Sequence, residues 1–111
     1  MRMVAIVCAL IWAGAMPAAA QAQSAVVIKY DAWACRTRED YHAVNRLAAS
    51  GDREGAIALY RQQVTFGACI PLQFGERLIV EERPWFSGMV KARRLGDTRS
   101  LWTAEDFVRV D

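Results

Sequence analysis

The chain has 111 residues, 14 of them basic and 12 acidic, with a formal net charge of +2 at pH 7. That balance excludes the strongly basic domain expected of a nucleic-acid or anionic-membrane binder. Three cysteines and a single histidine leave no Cys/His cluster for zinc once two of the cysteines are paired.

Residues 1–22 read as a removable secretory leader. Arg2 gives a short positive start, residues 4–13 an apolar run, Pro17 a break, and Ala20-Gln21-Ala22 a small-x-small cleavage pattern. Ala18-Ala19-Ala20 offers a second cleavage point. The rival reading is a membrane anchor, but the apolar run is well short of the roughly 20 residues that a spanning helix needs. Cys8 lies inside that run rather than after a cleavage box, which argues against a lipoprotein. Residues 23–111 are then expected to form a single domain, nearly neutral once Arg2 is lost, in the periplasm or outside the cell. A core of that size is marginal, and exported domains of this kind usually add disulfides. Cys35 and Cys69 are the even pair left after Cys8, so a bond between them is expected, with two free buried thiols as the alternative.

Residues 24–30 are rich in β-branched side chains and predict a first strand, with Val26, Ile28 and Tyr30 on one face and Val27 and Lys29 on the other. Trp33, next to Cys35, fits a core position better than a binding one. A helical hairpin follows over about 37–67. Thr37 is an N-cap with Asp40 in the capping-box place, and Tyr41, Val44, Leu47 and Ala48 form one apolar stripe. Ser50-Gly51 ends the first helix and Asp52 caps the second. That helix turns Ala56, Ile57, Leu59, Tyr60 and Val64 inward and Arg53, Glu54, Arg61 and Gln62 outward, and Gly67 closes it. Antiparallel helices bring their entry and exit together, so Cys35 and Cys69 at the two open ends are within bonding reach. Leu47, Gly51, Ala56 and Tyr60 resemble the turn and second helix of a tetratricopeptide repeat. The pattern occurs once, whereas such repeats need several stacked copies, so it reads as generic hairpin chemistry.

The remainder, about 69–110, alternates as β-structure. Leu78 and Val80 face one way against Arg77, Ile79 and Glu81; Val90 and Ala92 face one way against Met89, Lys91 and Arg93. Gly96-Asp97-Thr98 predicts a turn, residues 101–103 a short strand, residues 104–106 a single turn and residues 107–110 a last strand. The run Leu72-x-x-Gly75-Glu76-x-Leu78-x-Val80, then Trp85-Phe86-x-Gly88, then Trp102-Thr103-Ala104-Glu105-Asp106-Phe107-Val108, resembles small bacterial exported SH3-like barrel domains. The resemblance implies an α+β fold: a small SH3-like β-barrel with a disulfide-tethered αα-hairpin inserted after the first strand. The chain departs from the family at Leu101 and Ala104, where Gly and Pro stand, and lacks the A-L-Y-D-Y stretch, so proline-rich ligand binding is not implied.

Nothing in the sequence assembles a catalytic constellation. His42 lies beside the stripe of the first helix, a solvated position, and no Ser or Cys is placed to partner it. The pairs Glu39-Asp40, Glu81-Glu82 and Glu105-Asp106 are adjacent in sequence, so their side chains point apart. No Gly-rich phosphate loop precedes a helix. The expectation is a protein that is not an enzyme and uses no cofactor or metal. Lys91, Arg93, Arg94 and Arg99 gather in one hairpin beside Trp85, Phe86 and Trp102, a mixture suited to an anionic or glycan-like ligand or an acidic peptide. Trp85, Phe86, Lys91, Arg93 and Arg94 are therefore the candidate ligand-binding residues. The plainer alternative makes Lys91 and Arg93 the solvated face of a strand, with Trp102 in the core. The function expected is an interaction module for a protein or a cell-envelope component. The alternatives are a secreted inhibitor or immunity-type protein and a peptidoglycan-associated accessory protein.

Overall fold

The computed structural model describes residues 23–85 and 87–111. The expected leader and Phe86 lie outside the described residues. The elements in order are β1 (Gln23–Val27), β2 (Trp33–Cys35), α1 (Arg38–Ala49), α2 (Arg53–Thr65), β3 (Cys69–Pro71), β4 (Arg77–Glu82), β5 (Met89–Arg94), β6 (Leu101–Ala104), a 3-10 turn (Glu105–Phe107) and β7 (Val108–Val110). The architecture is α+β. Among the described residues the strands form one seven-stranded antiparallel sheet in the order β3-β2-β6-β5-β4-β1-β7.

The helices begin and end where their side chains dictate. Thr37 is extended at φ −124°, and its hydroxyl accepts from the Asp40 amide at 3.1 Å, satisfying a donor that the first turn leaves free. Gly51 takes φ +91°, a conformation open to glycine at little steric cost. The Asp52 amide then donates to the Leu47 carbonyl and the Gly51 amide to the Ala48 carbonyl, the two bonds of a Schellman stop. Asp52 also starts α2, its carboxylate accepting from the Gly55 amide at 2.8 Å. One aspartate thus closes one helix and opens the next, which keeps the hairpin turn short.

Two expectations about the strands are corrected. The first strand stops at Val27 rather than running to Tyr30, which is 83% exposed. The hairpin is inserted after the second strand, not the first, because Trp33–Cys35 pairs with both β3 and β6. The closed barrel is also not formed among the described residues, where β3 and β7 are the edges of the sheet. Each edge strand is three residues long, and Pro71 ends β3 without an N–H to extend the ladder.

Residues facing each other across the ladder share a face of the sheet. Ala25, Val27, Ala34, Leu78, Val80, Val90, Ala92, Leu101 and Val108 lie on one face and, with Ala32 and Leu72, make a buried cluster to which neither α1 nor α2 contributes. The sheet has to curl over this face to cover it, and the bulge between Val80 and Glu82 assists the bend. Thr103 is fully buried among these residues, and its hydroxyl donates to the Trp33 carbonyl at 2.7 Å, which removes the penalty for an unmet polar group. On the opposite face a second cluster joins Cys35, Cys69 and Met89 to Tyr41 of α1, with Trp33, Tyr60, Val64 and Trp102 packed against it. The Tyr41 ring stacks on Trp33 with centroids 4.0 Å apart, and Tyr60 meets Trp33 edge-on at 5.3 Å. Trp33 is therefore the pivot between hairpin and sheet.

Cys35 and Cys69 are bonded to each other and wholly buried. They are directly opposed in the β2–β3 ladder. The Arg36 amide donates to the Ala68 carbonyl and the Leu72 amide to the Ala32 carbonyl, so the cysteine pair occupies a non-hydrogen-bonded site between them, where cross-strand side chains come closest. The bond closes the loop that contains both helices, across a sequence separation of 34. In the chain-entropy model, such a cross-link stabilises a fold by roughly 3–4 kcal/mol.

Candidate functional site

A groove of about 450 Å³ lies between the hairpin and the sheet's β1–β2 and β3–β4 connections. Its walls are Val44, Asn45 and Ala48 of α1 and Ala56, Ile57 and Tyr60 of α2; Ala32, Trp33 and Leu72 line the sheet side. The opening exists because Ala48 and Ala56 are small where the helices face the sheet. Ile57, expected inward, is 41% exposed and lines the groove instead of a closed core. At the rim, the Tyr30 ring stacks on Phe74 at 4.2 Å with an interplanar angle of 9°. Both rings remain open to solvent, Phe74 at 51%. Burial pushes the Tyr60 phenol above its ordinary pKa, and that of Tyr41 further still, so both stay neutral hydrogen-bonding groups in the physiological range. Asp31 is the one charged residue of the lining, and it enters none of the ion pairs among the described residues.

The basic residues picked out in the sequence are not one surface. Alternation along β5 places Lys91 and Arg93 on the face away from the curled core, and Arg94 on the core face at the strand's end. Lys91 meets Glu82 at 3.3 Å, and Arg93 meets Glu81 at 3.5 Å. Arg94 reaches the other way, to Glu76 at 2.7 Å and to the Pro71 carbonyl at 3.0 Å. A carboxylate thus opposes each of the three cations. Trp85 sits in the β4–β5 turn and is 85% exposed, while Trp102 is half-buried against the hairpin with the Arg38 guanidinium 4.6 Å from its ring centroid.

The other polar candidates are spread apart. His42 is exposed on α1. Asp40 accepts from the Gln63 side chain, linking the two helices at 3.1 Å. Glu105 pairs with Arg83 at 2.7 Å. Among the described residues no three His, Cys, Asp or Glu side chains gather as a metal site would require. No helix among the described residues is long and apolar enough to cross a membrane.

Sequence reasoning missed the groove and also Arg36. Tyr30 reads as a strand residue and Ile57 as a core residue from periodicity alone, and only the docking of the hairpin on the curled sheet brings both to one opening. Arg36 follows a cysteine and precedes a helix cap, with no basic neighbour in sequence before Arg38. Pairing of β2 with β6 carries it to the β5–β6 hairpin. No protein-family model, curated protein or solved structure matches the chain.

Proposed function

We propose that the chain is an exported, non-catalytic interaction module that seats a segment of a partner protein in the groove between hairpin and sheet. The observation that carries this reading is the apolar opening beneath the exposed Tyr30–Phe74 stack, in a domain small enough that a solvent-facing apolar groove is costly to keep. The occupant is a segment bringing an apolar side chain with a cationic residue beside it, because Asp31 supplies an unmet negative charge within a lining that is otherwise uncharged. Export is supported by the leader-like residues 1–22 and by the Cys35–Cys69 bond, which persists in oxidising compartments. An SH3-like ancestry for β4–β7 belongs to the same proposal. It is supported by the Leu72-x-x-Gly75-Glu76-x-Leu78-x-Val80 run, in which Gly75 takes φ +84° where the chain turns into β4.

Selection of a random peptide library on the oxidised protein tests the reading. The expected consensus pairs an aromatic or aliphatic residue with Lys or Arg. Ile57→Asp, at an exposed position, should weaken the selected peptide about tenfold or more, with Asp31→Asn acting on its basic residue. Peptides sharing no such pair, or bound equally well by Ile57→Asp, contradict it.

A second reading, attachment to peptidoglycan, is favoured by one observation: the large exposed indole of Trp85 in the turn that leads into the strand carrying Lys91 and Arg93. Binding to purified peptidoglycan that is lost in Trp85→Ala and Arg93→Ala supports this reading; binding that persists in both removes that surface.

A further inference from the structure

At the end of the curled face where β2, β5 and β6 meet, cationic charge is in excess. The cross-strand pairs Cys35↔Trp102 and Ala92↔Leu101, each extended by one or two residues, bring Arg36, Arg94 and Arg99 to this end together. Arg36 donates through Nη1 to the Ser100 carbonyl at 3.4 Å, fixing it beside Arg99. Arg93, Arg94 and Arg99 are answered by Glu81, Glu76 and Asp97 in turn, the last at a loose 3.7 Å. Arg36 enters no ion pair among the described residues, so the excess charge is its own.

The Arg36 side chain also holds a buried Nε with no hydrogen-bond acceptor. Arg94 Nε is likewise not aligned for a hydrogen bond, but it lies 2.7 Å from a Glu76 carboxylate oxygen and its charge is met. Arg36 Nε has neither. A guanidinium presents a planar fork of donors that matches a carboxylate or phosphate edge, and leaving such a donor buried and unmet is costly. Burial, reinforced by the charges of Arg99 and Arg94 and opposed in part by Asp97, pushes the Arg36 pKa down. Arg99 is suited to close on an incoming group: its side chain is 70% exposed, and the Asp97 carboxylate is already engaged by the Arg99 backbone amide at 2.9 Å.

We propose that Arg36 and Arg99 form a binding site for an oxyanion, a carboxylate or phosphate group carried by a ligand, at the mouth where β2, β5 and β6 end. The site is separate from the apolar groove and does not depend on that groove's function. Arg36 is the fixed half, aligned by Ser100, and Arg99 the mobile half.

The test follows the arginine Nε–H resonances of the oxidised protein by NMR at constant ionic strength. The probes are inorganic phosphate and acetate, with chloride as the control. The expected result is saturable shifts of Arg36 and Arg99 with phosphate, acetate or both, and the tighter of the two probes identifies which oxyanion the site takes. Arg99→Gln, a change at an exposed residue, should weaken binding about tenfold with an unchanged melting temperature. Arg36→Gln should abolish the saturable shifts. Linear drift equal to that in chloride, or unchanged affinity in Arg99→Gln, overturns the proposal whether or not Arg36→Gln folds.

Discussion

On one face of the sheet, Ala25, Val27, Leu78, Val90 and Ala92 are fully buried with neither α1 nor α2 contributing to their cluster; on the other, Cys35, Met89 and Trp102 are covered by α1 and α2. The first face is sealed by the curl of strands that are themselves joined by continuous ladders. The second depends on two helices that contribute only Tyr41, Val44 and Ala56 to the buried set. So small an apolar contact anchors the hairpin weakly, and the same sparseness leaves the groove open. The difference explains where the disulfide is needed: at the base of the hairpin, where the chain leaves and re-enters the sheet, rather than across the curled core.

The largest expected effect comes from breaking the curled face. Leu78 is fully buried there, and Leu78→Ala should cost about 3–5 kcal/mol by chemical denaturation, with the whole domain unfolding earlier. Removing the staple comes next. Cys35→Ser should cost roughly 2–5 kcal/mol in the same assay, and the loss should fall first on the hairpin. A Cys-free protein that melts with the parent would show the bond to be dispensable. Within the hairpin, Thr37→Ala removes the α1 cap and should cost about 1 kcal/mol, read as lower helicity and an earlier melt.

The smallest effect is a dependence on pH. The Arg77 side chain, donating to Asp111 at 2.7 Å, holds that carboxyl below its ordinary pKa of 3.8. A carboxyl whose pKa is lower when folded stabilises above the unfolded value, and that contribution is lost as pH falls through the folded one. The melting temperature of the parent should therefore fall slightly more than that of Asp111→Asn as the solution is acidified below about pH 4. Both groups are solvent-exposed, so high salt should shrink the difference.

What the sequence made legible was mostly local chemistry. Thr37, Asp52 and Gly51 announce the ends of the helices because a cap needs only its own turn. Cys35 and Cys69 announce their pairing because the hairpin between them returns to its start. The alternation of β4 and β5 holds because those strands bury one face along several residues. β2 was not legible: at three residues it has no period of its own and owes its existence to β3 and β6. Spacing divides the basic residues of β5 between two faces, but it could not show that each stands opposite a carboxylate brought in from another element. Asp31, Ile57 and Tyr30 come together only after the sheet has curled and the hairpin has docked.

Hydrogen exchange measured on the oxidised protein and after reduction tests most directly the claim that the hairpin is fastened to the sheet by the Cys35–Cys69 bond. Protection should drop first and furthest across α1 and α2, while the amides of Leu78, Val80, Val90 and Ala92 stay protected. Uniform loss over both faces, or no loss in the helices, would contradict it.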